Sequence, residues 1–162
     1  MIRVRPYMQH DTDDILSWCS GEREFYRWTA GVMGGYPLTR ERFAANNSVM
    51  RFTALEDDVP VGFFTLRRPG SDPDVLRFGF VIVDPRRRGR GCGRQMLTLG
   101  MKFAGEVYGA KKAQLAVFTD NEPAIRCYTA AGFRQIGSEP EKYEILGETW
   151  ECMVMQRDLP IE

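Results

Sequence analysis

FGFVIVDPRRRGRGCGRQMLTLGM, residues Phe78 to Met101, decides how this chain folds. Phe78, Phe80, Val81, Ile82 and Val83 make a short apolar run of aromatic and β-branched residues, which predicts a buried strand. Asp84-Pro85 stops it, and a loop of four arginines and two glycines follows from Arg86 to Gly91. Beyond it the apolar residues take a helical spacing. Leu97, Met101, Ala104 and Tyr108 fall on one line, with Met96, Gly100, Phe103 and Val107 beside it. A strand, a tight turn and a helix in immediate succession have a chemical consequence. The start of a helix presents unpaired backbone N–H groups and the positive end of its dipole. Gly89, Gly91 and Gly93 let a ligand approach those groups, and Arg88, Arg90 and Arg94 add charge-assisted bonds to an anion. The turn is built to hold an anion.

Two common phosphate motifs do not match. A P-loop needs Lys followed by Ser or Thr after its last glycine, and Gly93 is followed by Arg94-Gln95. A dinucleotide fingerprint needs a third glycine where Arg94 or Met96 stands. What remains is Arg88-Gly89-Arg90-Gly91-Cys92-Gly93, an R-x-x-G-x-G run between strand and helix. About 28 residues later comes a second patterned stretch, Asn121-Glu-Pro-Ala124-Ile-Arg-Cys-Tyr128-Thr-Ala-Ala-Gly132-Phe133. Asp120 and Asn121 supply polar groups ahead of a helix, Pro123 suits its first position, and Gly132 suits its C-terminal cap. Ala124 and Tyr128 share a face of that helix, with Asn121 at its leading end.

In this order and at this separation the two stretches resemble the motifs of the GNAT superfamily of acyl-CoA-dependent N-acetyltransferases. The resemblance implies an α/β fold, with a mixed, mostly antiparallel central sheet of about seven strands flanked by about four helices. It implies acetyl-CoA as co-substrate, lying where the fourth and fifth strands splay apart, and no metal. The pyrophosphate would meet the turn from Arg88 through Gly89, Arg90, Gly91, Cys92 and Gly93 to Arg94. Backbone groups of Val81, Ile82 and Val83 would pair with the pantetheine arm, and Asn121 would touch it by its side chain. Tyr128 would be the general acid that protonates the departing thiolate.

The acceptor implied is a primary amine, small or peptidic, attacking directly in a ternary complex. The base that takes its proton is less legible. Some relatives carry Glu in the fifth strand where this chain has Ala116, and others a carboxylate in the fourth, where Arg77 or Phe78 stands. Glu144, Glu148 and Glu151, or Glu22 and Glu24, could act through water, although each also reads as a solvated surface charge. A missing base also suits a non-catalytic acyl-CoA sensor on the same fold.

Length and composition, with 43% hydrophobic and 27% charged residues, fit one globular domain over residues 1–162, which the resemblance implies is a single acetyltransferase domain. Lys plus Arg equals Asp plus Glu at 22 each, so no nucleic-acid partner is expected from net charge. No apolar run suits a bilayer, and the charged start lacks a signal-peptide core, so a cytoplasmic protein with no membrane partner is expected. Four scattered cysteines and one histidine argue against a zinc site or disulfides. His10 reads as a surface or capping residue, and Cys92 as a small apolar filler at the strand–helix junction.

Elsewhere Ile2 to Pro6 predicts a first strand and Asp11 to Cys19 a helix with acids in its first turn. Glu22 to Pro37, rich in aromatics and glycine, reads either as a loop over a pocket or as core. Thr39 caps a helix to Ala45. Strands follow at Met50–Leu55, Val61–Leu66 and Lys112–Phe118, then a short one at Phe133–Ile136 and a last hairpin, Tyr143–Leu146 with Thr149–Arg157. The hairpin's free edge is available for pairing with a second copy in a homodimer.

Overall fold

The structure, a computed structural model, describes residues 1–45 and 49–161. Seven strands run in chain order as β1 (Ile2–Pro6), β2 (Met50–Glu56), β3 (Val59–Arg67), β4 (Val75–Val83), β5 (Lys112–Phe118), β6 (Arg134–Ile145) and β7 (Glu148–Asp158). Five helices interleave with them: α1 (Thr12–Ser17), α2 (Glu22–Thr29), α3 (Arg40–Ala44), α4 (Cys92–Glu106) and α5 (Glu122–Ala130). The strands form one sheet in the order β1-β2-β3-β4-β5-β7-β6. Every neighbouring pair is antiparallel except β4 and β5. A parallel pair cannot be closed by a tight turn, so the chain crosses over through α4. The expected mixed, mostly antiparallel α/β fold is therefore present.

Alternation along the strands sorts the core into two sides. Phe64, Leu66, Leu76, Phe78 and Leu115 face α4, where they bury Met96, Leu97, Met101 and Ala104. Gly100 lets the helix come close, because a Cβ there would stand 2.6 Å from the Phe78 ring. Phe63 and Ile82 face the other way and pack against Ile15, Trp18 and Phe43 of α1 to α3.

Three local expectations need correction. Glu22 to Thr29 is a helix, not a loop. Phe25 and Thr29, one turn apart, bury against the sheet side while Glu22 and Glu24 occupy the first turn, where the dipole favours acids. The short sixth strand and the first arm of the last hairpin are one strand, β6, interrupted by a register shift between Ile136 and Glu141. Gly137 there takes a left-handed φ of 75°, so the chain bulges without leaving the sheet. Pro123 occupies the second position of α5, after Glu122.

Asp11 is also not a solvated helix-start acid. It is fully buried and accepts from Arg5 Nη1 and Nη2, from Thr53 Oγ1 (each 2.8 Å), and from the Met8 N–H at 2.9 Å. Burial alone would raise its pKa, but Arg5, Met8 and Thr53 together hold the carboxyl below its ordinary value. A carboxyl lowered in the fold contributes its stability above the unfolded pKa of about 3.9 and loses it as pH falls through the folded value. Asp11→Ala strands a partly buried guanidinium, and we expect urea denaturation at pH 7 to show a loss of about 3 kcal/mol. That loss should shrink below about pH 4, where the parent surrenders the same interaction.

Candidate active site

Strands β4 and β5 are partners for only three residue pairs: Val75 with Lys112, Leu76 with Ala113 and Arg77 with Gln114. Past that point β4 stays on β3 and β5 stays on β7, and among the described residues no strand lies between them. A cleft opens from Arg77 and Gln114 upward. Its cause lies in β4, where Phe63 pairs with Ile82 and Thr65 with Gly79, leaving Phe80 and Val81 opposite Phe64 alone. This is a β-bulge, which increases strand twist, and Phe80 takes a φ of 48° within it. The indole N–H of Trp28 on α2 donates to the Phe80 carbonyl at 2.8 Å and pins the bulge from one side. Beyond it Val81 and Val83 lean toward the α4 side and Ile82 toward the opposite core.

The arginine turn sits at the open end of the cleft. Asp84 accepts from the Arg86 N–H at 3.0 Å and pairs with the Arg86 side chain, and Arg87 pairs with Glu56. Two of the five arginines thus fold the turn itself. Arg88, Arg90 and Arg94 make no ion pair or side-chain hydrogen bond among the described residues. Gly89 and Gly91 adopt left-handed φ values of 78° and 80°, and no side chain caps the first turn of α4. A turn of this kind offers bare N–H groups ringed by three uncommitted guanidiniums, which suits a diphosphate. Cys92 is buried in the core beneath it, as its reading as a filler anticipated.

Helix α5 closes the same corner. A Cβ on Gly93 would stand 3.1 Å from Cys127 Sγ and 3.6 Å from Val83, so the end of β4, the start of α4 and the middle of α5 meet at this glycine. Tyr128, next along α5, packs its ring against Phe133 and the main core. Its hydroxyl has no hydrogen-bond partner among the described residues. Burial, with a smaller contribution from Cys127, pushes its pKa above the ordinary phenol value, so it keeps its proton at neutral pH. Asn121 caps α5, its Oδ1 accepting from the Ala124 N–H at 3.4 Å. Its amide N–H2 group makes no hydrogen bond among the described residues.

The glutamates considered as bases lie on the surface. Glu148 is held by Arg23 and Trp150, each at 3.1 Å, Glu144 accepts from Thr149 at 2.6 Å, and Glu151 faces Lys142. A polar cluster absent from the sequence reading occupies the foot of the cleft instead. Arg77 Nη2 donates to Gln114 Oε1 at 3.4 Å, and Gln114 Nε2 donates to Gln156 Oε1 at 2.9 Å. Arg77 Nη1 lies 3.9 Å from Glu141, which also accepts from the Tyr143 hydroxyl. The available signal was three long polar side chains interrupting otherwise apolar strands, VLRFGF, KAQLAVF and MVMQRD. Among the described residues no trio of His, Cys, Asp or Glu could hold a metal, and no helix is long and apolar enough to cross a membrane.

Comparison with known proteins agrees with this geometry. The profile described as the acetyltransferase (GNAT) family matches residues 12–133. An uncharacterized protein of Mycobacterium leprae is 36% identical over 119 residues, 73% of this chain and 32% of its own length. The N-alpha-acetyltransferase RimI of Mycobacterium tuberculosis is 35% identical over 101 residues, 60% of this chain and 59% of its own. The chain thus spans under two thirds of these relatives. Among solved structures, the spermidine N-acetyltransferase of Vibrio cholerae in complex with CoA and spermine superposes with a TM-score of 0.79. It covers 97% of this chain and 95% of its own, at 16% identity, and so speaks for the fold.

Proposed function

This chain belongs to the acetyltransferase (GNAT) family, and from that premise we propose that it moves the acetyl group of acetyl-CoA onto a primary amine within a ternary complex. The observation that carries the reading is the end of β4–β5 pairing after Arg77 and Gln114, which leaves an open strand edge beside the uncapped start of α4.

Acetyl-CoA supplies an activated acyl thioester. The N–H groups from Gly89 to Arg94, with the Arg88, Arg90 and Arg94 side chains, hold its pyrophosphate. The backbone edge of Val81, Ile82 and Val83 receives the pantetheine amides as an added strand would, and the Asn121 amide reaches the same arm. The acceptor's nitrogen lone pair attacks the thioester carbonyl, forming a C–N bond and a tetrahedral oxyanion that backbone N–H groups at the bulge stabilise. Collapse breaks the C–S bond, and the thiolate takes the Tyr128 proton. A base, or water linked to one, removes the proton of the attacking amine, because an alkylamine with a pKa near 10.4 is mostly protonated at pH 7.

The names of similar proteins point to different acceptors, an α-amine for RimI and spermidine for the Vibrio enzyme that shares the fold. The test is release of free thiol from acetyl-CoA across a panel of amines, alongside titration calorimetry with CoA. Heat of binding with acceptor-dependent thiol release is expected. Binding without release for any amine would identify a sensor, and absence of binding would end the proposal.

A further inference from the structure

The foot of the cleft holds a cation that the rest of the protein leaves under-coordinated. Leu76 and Phe78 face α4, so Arg77 and Gly79 project from the opposite face of the sheet, the one that α2 covers in part. Gln114 and Ala116 on β5, and Gln156 on β7, project the same way. Ala116 is exposed although it sits in a central strand, so the β5 side of this face is open beside the bulge at Phe80, whereas Thr65 Oγ1 fills the space above Gly79, 2.8 Å from where a Cβ there would stand. Arg77 lies at the foot of this opening, paired with Gln114 across the last rung between β4 and β5. Its side chain is only 18% exposed, yet among the described residues the nearest carboxylate is 3.9 Å away, its hydrogen bond to Gln114 is long at 3.4 Å, and its Nε has no partner. A guanidinium has five N–H donors, and one removed this far from water is ordinarily met by acceptors at closer range.

We propose that Arg77 is the specificity residue of the acceptor site and binds a carboxylate carried by the acceptor itself, so that the substrate is a free amino acid or an amine of that chemistry and size. The inference rests on the acetyltransferase reading above. Arg77 precedes Phe80 by three residues, about 10 Å of strand, a span filled by one guanidinium side chain and one amino acid. The acceptor's carboxylate lies on the Arg77 guanidinium and its amine points up the cleft toward the bulge. Gln114, held in turn by Gln156, orients the guanidinium, and Glu141 balances its charge while no acceptor is bound. A diamine would instead bring a second ammonium against Arg77, which like-charge repulsion disfavours.

Matched acceptor pairs test this: L-phenylalanine against phenethylamine, L-methionine against 3-(methylthio)propylamine, and L-lysine against cadaverine. The carboxylate-bearing α-amine of at least one pair should be acetylated with a kcat/KM tenfold or more above its decarboxylated partner. Arg77→Gln should raise KM for that amino acid at least tenfold, with kcat little changed, while activity toward the decarboxylated amine and the Kd for acetyl-CoA stay as in the parent. Arg77→Lys, which keeps the charge and loses the fork, should fall between the two. Equal or better use of the decarboxylated amines by the parent would overturn the proposal, as would an equal loss toward both members of a pair in Arg77→Gln, or no turnover of any member while acetyl-CoA still binds. Failure of the parent to bind acetyl-CoA at all would instead overturn the acetyltransferase reading beneath it.

Discussion

Tyr128→Phe is expected to lower kcat about 100-fold while leaving the Kd for acetyl-CoA within about twofold of the parent, as removal of a general acid does. The phenol is well suited to the role because its own environment keeps it protonated. Burial raises its pKa above the ordinary phenol value, and its hydroxyl is committed to no other described group. The direction of that shift also fixes the pH profile. A raised acid retains its proton throughout the range in which the acceptor amine loses its own, so kcat should climb with pH and show no falling limb below about pH 10. Phenylalanine preserves the packing against Phe133, so Tm should hold and the loss should sit in kcat. Unchanged turnover in the variant, or a fall in the parent's kcat between about pH 8 and 10, would take Tyr128 out of the mechanism.

The second large effect concerns the turn. Arg88, Arg90 and Arg94 are the arginines of the cluster left uncommitted among the described residues, whereas Arg86 and Arg87 are spent on Asp84 and Glu56. Alanine at Arg94 alone should weaken CoA binding about tenfold, the worth of one charge-assisted hydrogen bond at about 1.5 kcal/mol, and alanine at all three by 100-fold or more. Arg86→Ala and Arg87→Ala are the contrasting pair. They should affect stability more than affinity, since their partners lie within the protein. Calorimetry with CoA and with dephospho-CoA would separate the pyrophosphate from the ribose phosphate as the group the arginines meet. Equal losses of affinity across all five arginines would refute this division of labour.

What the sequence discloses about such a protein depends on how far each feature is local. The strand, turn and helix from Phe78 to Met101 are marked by residues with strong backbone preferences, Asp84-Pro85 at the stop and Gly89 and Gly91 where φ is positive. The helix after Asn121 is bounded in the same way by its cap and by Gly132, which takes a φ of 92°. Both were therefore readable. Helix α2 was not, because its C-terminal left-handed residue is Ala30 where glycine would have announced the end, and its aromatics suit core and loop alike. The bulge at Phe80 left no mark either, since a phenylalanine with a φ of 48° is held there by Trp28 and by the β3 pairs on either side, contacts that cross from 14 to 52 residues of chain. The floor cluster escaped for the same reason. Arg77, Gln114, Glu141 and Gln156 are separated by up to 79 residues and meet only because the sheet order places β4, β5, β7 and β6 side by side.

That three-pair contact between β4 and β5 also governs how the molecule holds together. It splits the sheet into two antiparallel wings, β1 to β4 and β5 to β6, whose own ladders are far longer than the seam between them. Laced along both margins, a bound pantetheine would supply missing rungs, so occupancy should stiffen the whole body as well as fill a slot. Amide exchange along Phe78–Val83 and Leu115–Phe118 would then slow together when CoA is added, a mechanical signature of the ligand acting as thread between two panels.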